Sequence, residues 1–158
     1  MRVLGIDPGT SITGYGVVEY GNGTPGFGRL VECGVIRLQS RSPLPRRLAQ
    51  LHEGIVALIA RHHPTALALE DAFYHKNVRT TLVLGHARGV VLLAAEQAAL
   101  SIAHYPPATV KKSVAGAGGA PKAQVAAMVA RLLRLKHAPR PSDAADGVAV
   151  ALTHIIRT

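Results

Sequence analysis

Apolar positions along the chain fall into short unbroken runs and longer helical stripes, and the two kinds alternate. The first run, Val3, Leu4 and Ile6 within Arg2–Asp7, has the continuous character of a strand buried on both faces. Pro8-Gly9 breaks it immediately after Asp7. Residues 14–20 read as a second strand, 21–26 as a turn, and 27–38 as a stretch containing a third strand. Such short connections predict an antiparallel meander. Leu44, Leu48, Leu51, Ile55, Leu58 and Ile59 then recur at helical spacing, opposite Arg46, Arg47, Gln50, Glu53 and Arg61. Pro43 and Pro45 open that helix and Pro64 ends it. The apolar run 65–70 is reached through this helical crossover, which predicts a strand parallel to an earlier one.

A long helix over about 77–99 follows. Its second half, 89–95, is apolar around the whole circumference, so it needs cover beyond its own sheet. A two-fold partner or another helix of the same chain would supply that cover. Ser101–Tyr105 reads as the last strand, ended by Pro106 and Pro107. Within residues 109–122, Lys111, Lys112 and Lys122 flank a glycine-rich loop, either a grip on phosphates or a linker. A helix over 121–135 turns Val125, Met128, Val129, Leu132 and Leu133 inward. Lys122 in its first turn opposes the helix dipole, and a broken local rule of that kind marks a functional residue. The last helix begins near Ser142, with Ala145, Val148, Ala149, Leu152, Ile155 and Ile156 as its apolar stripe. Asp143 and Asp146 lie nearly opposite that stripe, so periodicity predicts solvated acids, or an N-cap with a first-turn acid. The elements sum to an α/β fold: a mixed five-stranded sheet, three strands antiparallel and two parallel, flanked by helices.

Composition narrows the picture. At 158 residues and 48% hydrophobic, the chain is expected to form one domain over 1–158 with a real core. Cys33 is the single cysteine, so no internal disulfide forms. The run 89–95 is too short to span a bilayer and no charged-then-apolar leader begins the chain, so no membrane association and a cytoplasmic location are expected. Lys and Arg number 18 against 9 acids, a net charge of +9 and a pI near 10.5. A polyanionic partner is implied, nucleic acid ahead of membrane; a basic surface kept for solubility is the alternative. Asp7, Glu70, Asp71, Asp143 and Asp146 all fall at the edges of apolar segments, where a metal site facing a phosphate backbone would need them.

Asp7 ends its strand, and in α/β sheets ligands bind at the carboxyl ends of parallel strands. If the strand ending in Glu70 is its neighbour, the two carboxylates finish side by side, and a divalent cation relieves their repulsion. Read singly, Asp7 also suits a turn, and Glu70 a loop or helix cap. Hard oxygen donors without a His or Cys cluster favour Mg2+ or Mn2+ over zinc. Two ions about 4 Å apart would activate a water and stabilise the leaving oxygen in phosphodiester cleavage.

Ile6-Asp7-Pro8-Gly9-Thr10 with Gly14-Tyr15-Gly16, Leu69-Glu70 with Phe73 and Lys76-Asn77, the Val110-Lys111 and Pro121-Lys122 region, and Asp143-Ala-Ala-Asp146 together resemble the RuvC Holliday-junction resolvases. The likeness runs over almost the whole chain, in order and at family spacing. It implies a ribonuclease-H-like nuclease domain, a homodimer, paired symmetric nicking of four-way DNA junctions, and partnership with RuvA and RuvB. It further implies that Asp7, Glu70, Asp143 and Asp146 hold two metal ions per active site, with Lys122 also catalytic. Phe73, Lys76, Asn77, Lys111, Lys112 and Lys122 are the implied DNA contacts. Asp71 departs from the family, which often has a neutral amide there; a second acid beside Glu70 could alter metal or DNA affinity, and the sequence does not fix its effect. The chain also stops soon after its final helix. Two rivals remain. Ile-Asp-Pro-Gly-Thr also resembles the phosphate loop of actin-like ATPases and sugar kinases, whose two lobes need more chain than 158 residues. A non-catalytic junction-binding protein would be expected to lack one of the four acids.

Overall fold

The computed structural model describes residues 1–71 and 76–158. β1 (Arg2–Asp7), β2 (Ile12–Glu19) and β3 (Arg29–Arg37) form the expected antiparallel meander. β4 (Ala66–Glu70) and β5 (Ser101–Tyr105) add in parallel on the other side of β1, so the sheet order is β3-β2-β1-β4-β5. Parallel neighbours require crossovers, supplied here by α1 (Leu44–His62) and α2 (Val78–Gln97). α3 (Pro107–Ala115), α4 (Lys122–Leu132) and α5 (Ser142–Arg157) complete the described elements. β1, β3, β4 and β5 all run the same way, so four strands end at one edge.

Strand alternation sorts the core into two layers. Leu4, Ile6, Leu67 and Leu69 pack with Leu51 and Ile55 of α1 and Val91 of α2. Val3, Ala66 and Ala68 face the opposite layer, with Val129 of α4 and Val148 and Leu152 of α5. Covered on both faces, β1 has no exposed apolar side chain to offset with a polar one, hence its unbroken apolar run.

α5 lies directly against β1 and β2. A methyl group on Gly147 would stand 2.5 Å from the Tyr15 backbone, so only glycine permits this approach. The helix is buried continuously from Gly147 to His154, well beyond the single apolar stripe, because α3 and α4 cover the side turned away from the sheet. Tyr105 of β5 and His154 of α5 share a hydrogen bond of 2.9 Å between the phenol oxygen and Nδ1, tying the far strand to this helix.

The glycine-rich loop spans 116–121, flanked by the lysines as expected, and the stretch before it is helical: α3 takes 107–115 and carries Lys111 and Lys112. Its Pro107 sits in the first turn, where a missing N–H costs nothing. α2, which contains the apolar run 89–95, has 20 residues and a window of mean hydropathy 1.3, enough to cross a membrane by length and composition alone. Ala87, Val91, Ala94 and Ala95 are nevertheless buried against the rest of the fold, and Arg88 in mid-helix is bound to Asp71. Val78, Leu82 and Leu93 are exposed.

Candidate active site

The register between β1 and β4 pairs Ile6 with Leu69, and one step further brings Asp7 alongside Glu70. Val3, Gly5 and Asp7 alternate onto the α5 side of the sheet, as do Ala66, Ala68 and Glu70. The first turn of α5 comes to the same place. Pro141, not Asp143, occupies the N-cap, and Asp143 lies within the first turn. Its carbonyl rests on Gly14, the ladder partner of Asp7, where a methyl group would overlap it. Asp143 and Asp146 are therefore half-buried at the end of β1 rather than solvated. Periodicity failed here because the polar side of α5 faces the sheet edge instead of water.

A cavity of about 220 Å³ opens at this edge, lined by Asp7, Glu70, Asp146, Lys111 and Lys122, with Pro107, Val110, Val125 and Ala149 as apolar walls. Burial, then the neighbouring Glu70 and Asp146 carboxylates, push the Asp7 pKa up to about 8; Asp143 adds to the effect and Lys122 opposes it. Burial and Asp146 raise Glu70 to about 7 against the pull of Lys111 and Lys122. The Lys122 ammonium stands 2.9 Å from an Asp146 oxygen, and that hydrogen bond holds its pKa above the ordinary value. A cation at the start of α4 opposes the helix dipole, and the acids of α5 compensate it. Lys111 is half-buried in the cavity wall; Lys112 is exposed and outside it.

Among the described residues no three carboxylate, histidine or cysteine side chains are gathered closely enough to grip an ion as placed. The donor set nonetheless fits a hard divalent cation. It is all oxygen, and burial first, then mutual repulsion, hinders ionisation of its carboxylates.

Asp71 is absent from the cavity. It follows Glu70 on the opposite face of the strand, is buried, and pairs with Arg88 of α2 and, at 3.3 Å, with His104 of β5. These partners, Arg88 and His104, give Asp71 an anchoring place between α2 and β5 that nothing in the sequence pattern pointed to. Asn77 caps α2, its side-chain oxygen accepting from Thr80 N at 3.1 Å, and Lys76 beside it is exposed. Phe73 lies outside the described residues. Gly14 and Gly147, which let α5 deliver its acids, were legible only as parts of a motif and a helix.

The chain is matched over residues 3–154 by the family model for the crossover junction endodeoxyribonuclease RuvC. It is 49% identical to the RuvC of Halorhodospira halophila, over 97% of this chain and 89% of that protein. It is 47% identical to the RuvC of Chloroflexus aurantiacus, over 98% and 92%. Among solved structures, Thermus thermophilus RuvC superposes with a TM-score of 0.89 at 38% identity, covering 99% of this chain and 94% of that one. The same protein in complex with a Holliday junction substrate gives 0.92 at 37%, over the same shares. A yeast mitochondrial Holliday junction resolvase, at 15% identity and a TM-score of 0.67, shares the ribonuclease-H-like fold. The chain belongs to the RuvC family of crossover junction endodeoxyribonucleases.

Proposed function

We propose that this protein is a divalent-metal-dependent endonuclease, acting in the cytoplasm as a single-domain subunit of a homodimer, that resolves four-way DNA junctions by paired nicks in recombination and repair. The observation that carries this reading is the convergence of Asp7, Glu70 and Asp146, with Asp143 beside them, on one cavity that also holds Lys111 and Lys122. Asp7, Glu70, Asp143 and Asp146 would hold Mg2+ or Mn2+, two ions per site. Bound there, the ions would supply an activated water and stabilise the leaving oxygen. Lys122, its side chain 60% exposed, can turn from Asp146 towards a phosphate and offset charge developing there. Lys111 binds a phosphate from the cavity wall, while Lys112, Lys76, Asn77 and Phe73 meet the DNA around it. Phe73 offers a stacking surface to unpaired bases at the crossover. The exposed apolar side of α2, with Val78, Leu82 and Leu93, is the surface a second copy would cover, giving a two-fold enzyme for a two-fold substrate. RuvA and RuvB are its proposed partners.

The deciding experiment is incubation with a synthetic four-way junction and Mg2+ or Mn2+, mapping cuts on all four strands. Paired nicks on opposing strands support the reading; retention of the junction without cleavage would make the protein a binding module. Lys122→Ala should then lose far more rate than affinity. Lys111→Ala should instead reduce the salt dependence of binding by about one counterion, and an unchanged slope would remove Lys111 from the DNA.

Gly14→Ala tests the seating of α5. Its methyl group meets the Asp143 carbonyl, so the helix must shift. Overpacking of this kind costs about 1–3 kcal/mol. Urea unfolding should register that loss and cleavage should fall at least about tenfold, since misplacing a catalytic group by 1 Å can cost about a hundredfold. Wild-type cleavage by the variant would show that Asp143 needs no such positioning.

A further inference from the structure

A second group of cations occupies the edge of the sheet that carries Asp7 and Glu70, on the side of β1 away from Lys111. β3 runs parallel to β1 two positions away and ends at the same edge with Arg37. At the usual strand spacing β3 lies about 10 Å across the sheet from β1, and Arg37 stands beyond Val35, the β3 residue level with Asp7. The turn after β3 and the first turn of α1 add Arg41, Arg46 and Arg47. The group is tied to the loop that leaves Asp7. Arg47 donates to the Thr10 carbonyl at 3.5 Å, and Leu38 N to the Ser11 carbonyl at 2.8 Å.

Arg37, Arg41 and Arg46 are exposed, and Arg47 is half-buried. Among the described residues no acid forms an ion pair with any of the four, and the first turn of α1 contains no acidic residue. Arg2, Arg29, Arg61 and Arg88, by contrast, are each answered by Glu19, Glu32 or Asp71. Four arginines carried on consecutive segments at one edge, without counter-charge, repel one another, a cost that a bound polyanion removes.

We propose that Arg37, Arg41 and Arg46 bind the phosphate backbone of a duplex arm of the same junction, while Arg47 braces the loop after Asp7. This deepens the nuclease reading and rests on it. On one DNA strand phosphates recur every 3.4 Å or so of helix axis, so a duplex arm laid with its axis along the sheet edge brings a phosphate roughly three nucleotides from the cut to a point about 10 Å away. A strand seated at the cavity would have Lys111 and Lys122 on one side and the arginines on the other. Such contacts orient the duplex without reading its bases.

The test is the double variant Arg41→Ser/Arg46→Ser, both positions being exposed, with a thermal melt to show that the fold is retained. Its dissociation constant for a four-way junction should rise about tenfold at moderate salt, and the slope of log K against log salt should fall by about 1.8 for two phosphates lost. The maximal cleavage rate at saturating junction should not change. A junction with neutral methylphosphonates along that stretch of the arm should weaken binding of the wild type more than that of the double variant, which keeps only Arg37 of the three contacts. Unchanged affinity and slope, with the wild type still cutting, would overturn the proposal and leave the nuclease reading intact. Loss of maximal rate with affinity preserved would also overturn it, showing that the arginines act only on the loop. A wild type that neither binds nor cuts junctions would overturn both.

Discussion

Asp7→Asn is expected to lower junction cleavage by roughly a hundred- to a thousandfold or more, the scale on which loss of one transition-state-stabilising group is felt. Junction binding should survive, because the carboxylate holds metal and the basic residues hold DNA. The same change should raise the melting temperature of the metal-free protein. The folded-state pKa of Asp7 is about 8, above its ordinary 3.8, with burial as the largest cause. A carboxyl shifted upward favours folding fully below its unfolded pKa, and that contribution is lost as the pH rises through about 8. Asparagine does not titrate, so the variant should gain on the wild type from about pH 4 upward, most of all near pH 8. Allowing for relaxation around the charge, about 1–3 kcal/mol is expected, or roughly 3–10 °C for a domain of this size. Glu70 titrates near 7 by the same mechanism. Ions bind only the deprotonated carboxylates, so metal affinity of the wild type should rise between pH 6 and 8. Melts across that range, with and without Mg2+, check both statements. A variant that cuts normally with Mg2+, or melts below the wild type at pH 8, refutes the account.

Asp71→Ala should behave in the opposite way. The carboxylate is 7% exposed and joins Arg88 of α2 to His104 of β5, while its backbone N–H donates to the Tyr105 carbonyl at 2.8 Å. Removing one partner of a buried pair costs about 3–5 kcal/mol, a fall of roughly 6–20 °C in melting temperature. Asp71→Asn keeps the shape without the charge and should lose less. Metal affinity measured on the folded fraction should be unaffected, since Asp71 faces away from the cavity. Glu70→Gln, one residue earlier, should instead stop cleavage without lowering the melting point. If Asp71→Ala melted like the wild type, the pair would be ornamental; if it weakened metal binding in folded protein, the anchoring role would be wrong.

These adjacent acids mark the boundary between what the sequence by itself determined and what the tertiary structure decided. The runs ending in Asp7 and Glu70 were legible as buried strands because a strand covered on both faces must be apolar at consecutive positions. The crossover helix between them dictated a parallel relation, and the expectation that both carboxylates finish at one edge followed from chain direction alone. Helical periodicity likewise located α1, α4 and α5 to within a few residues. Other features depended on contacts that periodicity does not encode. Asp143 and Asp146 lay on the side of α5 that looked solvated, yet Gly14 and Gly147 admit the helix so closely that this side borders Asp7. Asp71 looked like part of the site, but a strand turns successive side chains to opposite faces, and Arg88 waits on the other one. Lys111 and Lys112 looked like equivalent neighbours beside a glycine-rich loop, and α3 separates them into a cavity residue and a surface residue. Local pattern reports which residues must leave water. Which buried or edge residues then meet depends on register, direction and the closeness of packing, and those are settled only when distant segments assemble.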